Sequence, residues 1–309
     1  MTKQQPRTLI EAIHYFADLD VATDFVAQLR WDGTPTCDRC GSVESYHLAK
    51  RRVWKCKGCG RQYSVKVGTI FEDSALGLDK WLPAVWLIAN SKNGISSHEL
   101  GRALGVTQKS AWFMLHRIRL AMRNGSVEMF SGPVEVDETY IGGSAKNMHA
   151  RERKEKQTPL GGPSHMTAVV GMIERGGKAT TAVVADTTLM SLQGFVKDNV
   201  HRRSTVYTDS HRSYIGLGKQ FNHAPVDHGL GQYVDGVIHT NGIENFWSLL
   251  KRTIKGTYIS IEPKHLLAYV DERVFAFNNR KDSDFDRFQL TLNGVANRRL
   301  TYADLTGKN

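Results

Sequence analysis

The sequence has no long apolar run and lacks the features of an exported protein. No apolar stretch of about 18 residues, the length that a transmembrane helix needs, occurs among its 309 residues. Residues 1–7 are mostly polar and lack the apolar segment of a secretory signal. We therefore expect a cytoplasmic protein with no membrane partner.

Acidic residues are fewer than basic ones. The chain has 31 Asp and Glu against 41 Lys and Arg, which gives a formal net charge of +10 at pH 7. Such an excess favours a polyanionic partner such as nucleic acid. Because many soluble proteins are mildly basic, charge alone leaves the partner undecided.

Cysteine is scarce, and the four cysteines occur as two short pairs. Cys37 and Cys40 form one Cys-x-x-Cys pair and Cys56 and Cys59 the other, with residues 41–55 between them. This spacing predicts a structural Zn²⁺ site with four thiolate ligands. Two disulfides are the alternative, which a reducing cytosol disfavours. Basic residues near the pairs favour DNA contact by this zinc ribbon, with a purely structural role as the alternative.

The middle of the chain predicts helices joined by a short turn. After an apolar helix from about Leu78 to Asn90, Ser96 and Glu99 form a capping-box pattern that begins a second helix. Gly105 favours its end, and Thr107 is a good N-cap for a third. We interpret this segment as a DNA-reading helix-turn-helix, with an ordinary helical hairpin as the alternative. The predicted DNA contacts are Gln108, Lys109 and Trp112, with Arg117, Arg119 and Arg123 available for phosphates.

Three carboxylates lie in distinct local patterns. Asp137 lies in an alternating apolar run, residues 134–143, that predicts a strand. Asp209 ends a second predicted strand, and Glu244 begins a predicted helix, 244 − 209 = 35 positions later. At 100° per residue, Lys251 lies within about 20° of Glu244 on that helix. Carboxylates that meet from strand ends and a helix are ligands that Mg²⁺ prefers.

Other acids lie near these three in the sequence. Glu135 and Glu138 flank Asp137, and side chains alternate between the faces of a strand. We expect both to point to the face opposite Asp137, and interpret both as non-ligands. Asp186 has no matching motif and is interpreted as a surface residue.

The segments around the three carboxylates resemble the DDE transposases of bacterial insertion sequences. The resemblance is closest to the ISXO2-like subgroup, which also has an N-terminal zinc ribbon. Residues 137–143 and 239–252 carry the likeness, which spans nearly the whole chain.

The resemblance implies roles for individual residues. Asp137, Asp209 and Glu244 are expected to hold Mg²⁺ or Mn²⁺, and Lys251 to contact a DNA phosphate near the scissile bond. Relatives with Asn or His as the third ligand leave two alternatives to Glu244, namely Asn241 and His239. The spacing to Lys251 favours Glu244.

The implied function is DNA transposition. The enzyme is expected to bind the terminal inverted repeats of an insertion sequence, cleave at the element ends and join the 3′-OH to target DNA by two-metal-ion chemistry. Double-stranded DNA is the expected partner, bound by a nucleoid-associated homo-oligomer, because two ends must be joined. A host metal-dependent nuclease and a DNA-binding regulator that uses only residues 1–125 are the alternatives.

The expected fold is α/β. The pattern predicts three strands in succession, then a helix and a further strand, which fits a ribonuclease-H-like mixed sheet flanked by helices. The elements are the strands Val134–Tyr140, Met166–Ile173 and Ala179–Val184, the helix Leu189–Val200 and a strand ending at Asp209. The expected domain order is a helical segment (1–34), a zinc ribbon (35–67), a helix-turn-helix domain (68–125), the catalytic domain (126–285) and a C-terminal tail (286–309).

Overall fold

The computed structural model describes residues 5–123, 128–143, 145–155, 163, 165–226 and 239–307. The chain forms two compact units. Unit 1 comprises Met1–Asn124 and Lys281–Asn309, and unit 2 comprises Gly125–Arg280. No helix in the described ranges is long and apolar enough to cross a membrane.

Unit 1 begins with two helices and a small antiparallel sheet. The helices are α1 (Leu9–Phe16) and α2 (Leu19–Trp31), and the strands, in sheet order, are β1 (Ser45–Leu48), β2 (Val53–Cys56) and β3 (Gln62–Tyr63). Trp31 packs edge-on against Trp54 and Tyr63, with ring centroids 5.0 and 5.7 Å apart. This aromatic contact gives the small sheet a core next to the cysteine pairs.

Three further helices of unit 1 follow the local signals of the sequence. They are α3 (Leu78–Asn90), α4 (Ser97–Leu104) and α5 (Gln108–Met122). The Ser96 hydroxyl accepts the Glu99 N–H at 3.1 Å, and the Thr107 hydroxyl accepts the Ser110 N–H at 3.1 Å. These N-caps satisfy amides that the first turn of a helix leaves unpaired. The structure thus contains the two helices and the turn, and their role in reading DNA stays a prediction.

Unit 2 is built on a five-stranded mixed sheet. In chain order its elements are β4 (Val134–Ile141), α6 (Ala150–Glu155), β5 (Thr167–Glu174), β6 (Ala179–Val184), α7 (Leu189–Asn199), β7 (Thr205–Asp209), β8 (Asn222–Val226), α8 (Asn241–Thr253) and α9 (Leu266–Asn278). The strand order is β6-β5-β4-β7-β8. β4, β5 and β6 pair antiparallel, whereas β7 runs parallel to both β4 and β8. The predicted mixed sheet flanked by helices is confirmed, and its ribonuclease-H-like character stays an expectation.

Helices cover both faces of this sheet. Val136 of β4 and Val196 of α7 belong to one buried cluster. Val169 of β5, Phe246 of α8 and Val270 of α9 belong to another. Apolar side chains thus bury both faces, and α8 lies on the face opposite α7.

The C-terminal segment belongs to unit 1 and contains α10 (Asp284–Asn293) and α11 (Tyr302–Thr306). Phe288 of α10 is fully buried, with its ring 5.6 Å from that of Phe16 and 5.2 Å from that of Trp86. The chain therefore leaves unit 1, forms unit 2 and returns.

Gly171 of β5 lets α8 approach the sheet closely. A Cβ at this position would lie 2.6 and 2.7 Å from two ring carbons of Trp247. We expect Gly171→Ala to displace α8 and to lower the free energy of unfolding by about 1–3 kcal/mol, because overpacking forces neighbouring side chains to shift. Urea unfolding measures the effect.

The matched control is Gly194→Ala in α7, where no atom lies within 4 Å of an added Cβ. Alanine favours a helix more than glycine does, so this variant should be neutral or more stable than the parent. Equal unfolding midpoints for Gly171→Ala and the parent would contradict the close-approach argument.

Candidate active site and zinc site

Asp137 and Asp209 lie on neighbouring strands of the central sheet. β4 and β7 run parallel, with Glu135 opposite Tyr207. Asp137 and Asp209 each lie two residues beyond this last pair of the register, and the charge of Asp209 adds to the raised pKa of Asp137. Side chains two residues apart on a strand share a face, so both aspartates lie on one face of the sheet.

Glu244 lies in the first turn of α8 and joins Asp137 at one cleft. The cleft has a volume of about 560 Å³ and is lined by Asp137, Glu244 and Lys251. The rest of its lining is Glu138, Thr139, Trp247, Ser248, Arg252 and Lys255. The cleft therefore has acids of β4 beside basic residues of α8. The Glu244 carboxylate also accepts the Thr240 hydroxyl at 2.8 Å.

Carboxylates of like charge gather around Asp137. Burial raises the pKa of Asp137 to about 7, and the nearby carboxylates of Glu138, Asp209 and Glu244 add to the rise. Burial also raises the pKa of Glu138, whose carboxylate accepts the Tyr214 hydroxyl at 2.8 Å. A divalent cation among these groups would favour their ionised forms, because opposite charge lowers the pKa of a carboxyl.

The acids are close together without forming a closed metal cage. Across the part of the chain that the structure describes, the four cysteines are the one group of three or more His, Cys, Asp or Glu whose ligand atoms all lie within 4.8 Å. A metal ion shared by Asp137, Asp209 and Glu244 would therefore require some of these side chains to rotate.

Glu135 is a buried acceptor at the start of α8. Its side chain is 2% exposed, and its carboxylate accepts the backbone N–H groups of Gly242 and Ile243 at 2.6 and 3.1 Å. Arg175 Nε donates to the same carboxylate at 2.9 Å. These two amides are ones that an N-cap side chain normally satisfies. Glu135 thus supplies, from β4, the cap of the helix that carries Glu244.

The position of Glu135 corrects the expectation that it points away from Asp137. Glu135 and Asp137 are two residues apart, and strand side chains alternate with a period of two. Both therefore lie on the α8 face. Glu138, one residue after Asp137, contacts Tyr214 on the α7 side of the sheet but also lines the cleft with Asp137, so its carboxylate is not separated from the site as expected. The period-two rule, applied to Glu135, would have found it.

The four cysteines are arranged to bind one metal ion. Cys37 Sγ lies 3.6 Å from Cys59 Sγ, and Cys40 Sγ lies 3.5 Å from Cys56 Sγ. Zn–S bonds of about 2.3 Å in a tetrahedron separate sulfurs by about 3.8 Å. The Cys59 backbone N–H, donating to the sulfur, is the main cause that lowers the pKa of Cys56 to about 6. This geometry fits the predicted structural zinc.

Two family models match the chain. The model of the ISXO2-like transposase domain matches residues 129–278, and the model of the transposase zinc-ribbon domain matches residues 20–62. An uncharacterized transposase-like protein of Haemophilus influenzae is 32% identical over 103 residues, which cover 33% of this chain and 82% of that protein. The chain belongs to the ISXO2-like transposase family.

A second relative of this transposase is an uncharacterized protein in transposable element ISH50 of Halobacterium salinarum. It is 28% identical over 243 residues, which cover 75% of this chain and 81% of that protein. A cryo-EM structure of a simian T-cell lymphotropic virus intasome in complex with PP2A regulatory subunit B56 gamma matches with a TM-score of 0.28 and 12% identity, over 60% of this chain and 66% of that chain. That structural likeness is too low to carry an argument.

Helix α5 of the transposase exposes only part of the predicted DNA-contacting set. The exposed or half-buried members are Gln108, Lys109, Trp112 and Arg123. Arg117 and Arg119 are buried, at 4% and 1% exposure. Arg117 donates to the backbone carbonyls of Ile70 and Glu72. The structure therefore does not support phosphate contacts by Arg117 and Arg119, because their guanidinium groups lie inside unit 1.

The two alternatives to Glu244 as the third metal ligand, Asn241 and His239, are not among the residues that line the cleft. Asn241 is exposed at the start of α8 and is not among the lining residues. His239 lies beside Glu135, with its Nδ1 3.2 Å from Glu135 Oε1. Of the three candidates, the cleft beside Asp137 contains Glu244.

Replacing Glu135 tests whether it holds α8 in place. Glu135→Ala removes the acceptor of two amides and the partner of Arg175, and should lower the free energy of unfolding by about 3–5 kcal/mol, as loss of one partner of a buried pair does. Glu135→Gln keeps an acceptor oxygen and should lose less. Urea unfolding followed by tryptophan fluorescence measures both.

The control is Glu262→Gln, an exposed site that should be unaffected. Parental stability of Glu135→Ala would show that the cap is dispensable.

Zinc content tests the ribbon. The purified transposase should contain about one zinc per chain, and Cys40→Ser should lose most of it, since a four-thiolate site needs all its ligands. Atomic absorption measures the content. His47→Gln is the control, because His47 is stacked on Trp54 and should not be a ligand. Full zinc content in Cys40→Ser would contradict the assignment.

Proposed function

We propose that this transposase cleaves DNA at the ends of its insertion sequence and joins the freed 3′-OH to target DNA. The observation that supports this function best is the meeting of Asp137, Glu244 and Lys251 at one cleft, with Asp209 next to Asp137. Family membership supports a transposase function and disfavours a host nuclease or a regulator.

The residues present fit Mg²⁺ or Mn²⁺. Asp137, Asp209 and Glu244 offer carboxylate oxygens, the ligands that Mg²⁺ prefers. Burial, together with the neighbouring carboxylates of Glu138, Asp209 and Glu244, raises the pKa of Asp137, and a bound cation would favour its ionised form. When bound there, Mg²⁺ supplies an activated water and stabilises charge on the leaving oxygen.

The basic residues of α8 and of the π-helical turn that follows it have a separate task. Lys251, Arg252 and Lys255 line the cleft on the helix side. A lysine ammonium is a compact charge that suits a phosphate, so Lys251 binds the DNA strand next to the acids. The acids of β4 and β7 then face the phosphodiester that this contact positions.

DNA recognition lies in unit 1. Gln108 and Lys109 are exposed at the start of α5, the end of a helix-turn-helix that leads into the major groove. Trp112 and Arg123 extend this surface, and the zinc ribbon adds basic residues. A homo-oligomer holds two element ends together, and the enzyme acts on DNA in the nucleoid.

Cleavage of labelled end DNA in Mg²⁺ tests the acids. Asp137→Asn and Asp209→Asn should each slow 3′-end nicking and strand transfer by more than about 100-fold, because even outer-shell partners of a metal are worth 10- to 100-fold. Both variants should still bind the end DNA in a mobility-shift assay. Asp198→Asn, an exposed site on α7, is the control and should retain activity. Undiminished cleavage by Asp137→Asn would refute the metal assignment.

The third ligand is tested by comparing Glu244→Gln with Asn241→Ala. Glu244→Gln should be inactive in nicking, since it removes a charged ligand from the cleft, whereas Asn241→Ala should retain activity. The opposite pattern would assign the third position to Asn241.

A further inference from the structure

A strained turn follows α8. The helix continues into one turn of π-helix, Ile254–Tyr258, and ends at Ile259, which has φ 64° and ψ −58°. The Ser260 N–H donates to the Tyr258 carbonyl at 2.7 Å. Together these values describe the γ-turn with positive φ, which is rare and strained. A β-branched residue at positive φ is an outlier that needs an explanation.

Surrounding contacts hold this turn in place. The Tyr258 hydroxyl donates to the buried carboxylate of Glu272, and the Tyr258 ring packs edge-on against Tyr269 with centroids 4.6 Å apart. The Ile259 N–H donates to the Ile254 carbonyl at 2.7 Å. Strain persists where neighbouring structure fixes it, and such positions concentrate at ligand clamps and active sites. π-helical turns are frequent at functional sites as well.

The strain presents an apolar side chain to solvent. Ile259 is 75% exposed. It lies on the rim of a pocket of about 330 Å³ whose other apolar residues include Ile141, Met166 and Ile261. This volume is within the range of small-ligand pockets, which begins at about 300 Å³.

Two lysines connect this pocket to the acidic cleft. Lys251 and Lys255 line both the pocket and the cleft that contains Asp137 and Glu244. A ligand that suits both parts has an apolar group for the pocket and an anionic group for the two lysines. A nucleotide of a DNA strand has both, with its base for the pocket and its phosphate for the lysines.

We propose that Ile259 inserts between stacked bases of bound DNA and that the neighbouring pocket receives the displaced base. This proposal rests on the proposed function and specifies how its active site holds the DNA. Apolar wedges of this kind unstack base steps and kink the duplex, and a base leaves the stack when a pocket beside the active site can take it. Displacing a base next to the cleft opens the strand where Asp137 and Glu244 must reach the phosphodiester.

Fluorescence of 2-aminopurine tests the displacement. The probe is a duplex with one end of the element, in which 2-aminopurine replaces each base in turn within a few positions of the cleavage site. Wild-type protein should raise the fluorescence severalfold at one position, because unstacking relieves quenching. Ile259→Ala should reduce this rise at least threefold while anisotropy shows the same DNA affinity within twofold. Ile215→Ala, at 68% exposure in the same unit, is the matched control and should behave as wild type.

Two further measurements separate a wedge from a structural role. Ile259→Ala should nick the end DNA more slowly than wild type, and an abasic site at the responsive position should restore its nicking rate, since no base then needs to be displaced. Ile259→Gly should raise the melting temperature, because glycine adopts positive φ without strain, and should still lack the fluorescence rise.

The possible outcomes distinguish failure of the wedge from failure of the proposed function. Wild-type protein that nicks the end DNA with no fluorescent response at any position, or an Ile259→Ala protein with a full response, overturns the wedge while leaving the proposed function intact. Wild-type protein that neither binds nor nicks the end DNA overturns the proposed function and the wedge with it.

Discussion

The candidate site depends on one buried carboxylate, Glu135. It lies two residues before Asp137 on β4 and caps α8 two residues before Glu244. Apolar packing of α8 on the sheet is non-directional, whereas these hydrogen bonds set the position of the helix along β4. The positive end of a helix dipole favours an anion, and Arg175 further compensates the charge of Glu135. One interaction thus fixes the spacing between the acid of the strand and the acid of the helix.

Two carboxylates of β4 therefore have opposite surroundings. Glu135 is paired with amides and a guanidinium, whereas Asp137 has other carboxylates as neighbours. Burial and these neighbours raise the pKa of Asp137 from 3.8 to about 7. Its ionisation consequently destabilises the fold as pH rises above about 4, and this effect is complete above about pH 7. Such a perturbed group in a cleft is characteristic of a functional site, and a bound cation would offset the repulsion.

Local signals in the sequence predicted the local structure well. Capping residues and apolar periodicity placed α3, α4 and α5, and the spacing of the cysteines predicted the zinc site. β8 was not predicted, because Pro225 within Asn222–Val226 is unfavourable in a strand except at an edge, which is where β8 lies. The return of α10 to unit 1 depends on contacts between distant segments, such as Phe288 with Phe16, that no local pattern contains.

The residues of the site were harder to predict than the elements that carry them. The sequence supplied the three acids, and their roles stay proposals. The sequence did not show that Arg117 and Arg119 face the interior of unit 1. Helical spacing shows which side chains share a face of the helix, but it does not show which face is buried. Glu135 was assigned to the wrong face although the period of two places it with Asp137, and its role as the cap of α8 was not predicted, since its partners are backbone amides, which leave no residue pattern in a sequence.

In the proposed mechanism, α8 fixes the distance between Glu244 and Lys251. Glu135 holds its first turn, and the contacts of Tyr258 hold the turn that follows its end. Glu244 and Lys251 are 251 − 244 = 7 residues apart, which is about 10 Å along a helix at 1.5 Å per residue. In the proposed mechanism this fixed spacing sets how far the phosphate bound by Lys251 lies from the phosphodiester beside Glu244. Because both side chains belong to one helix that is held at both ends, we propose that binding of that phosphate positions the scissile bond without any change in the helix itself.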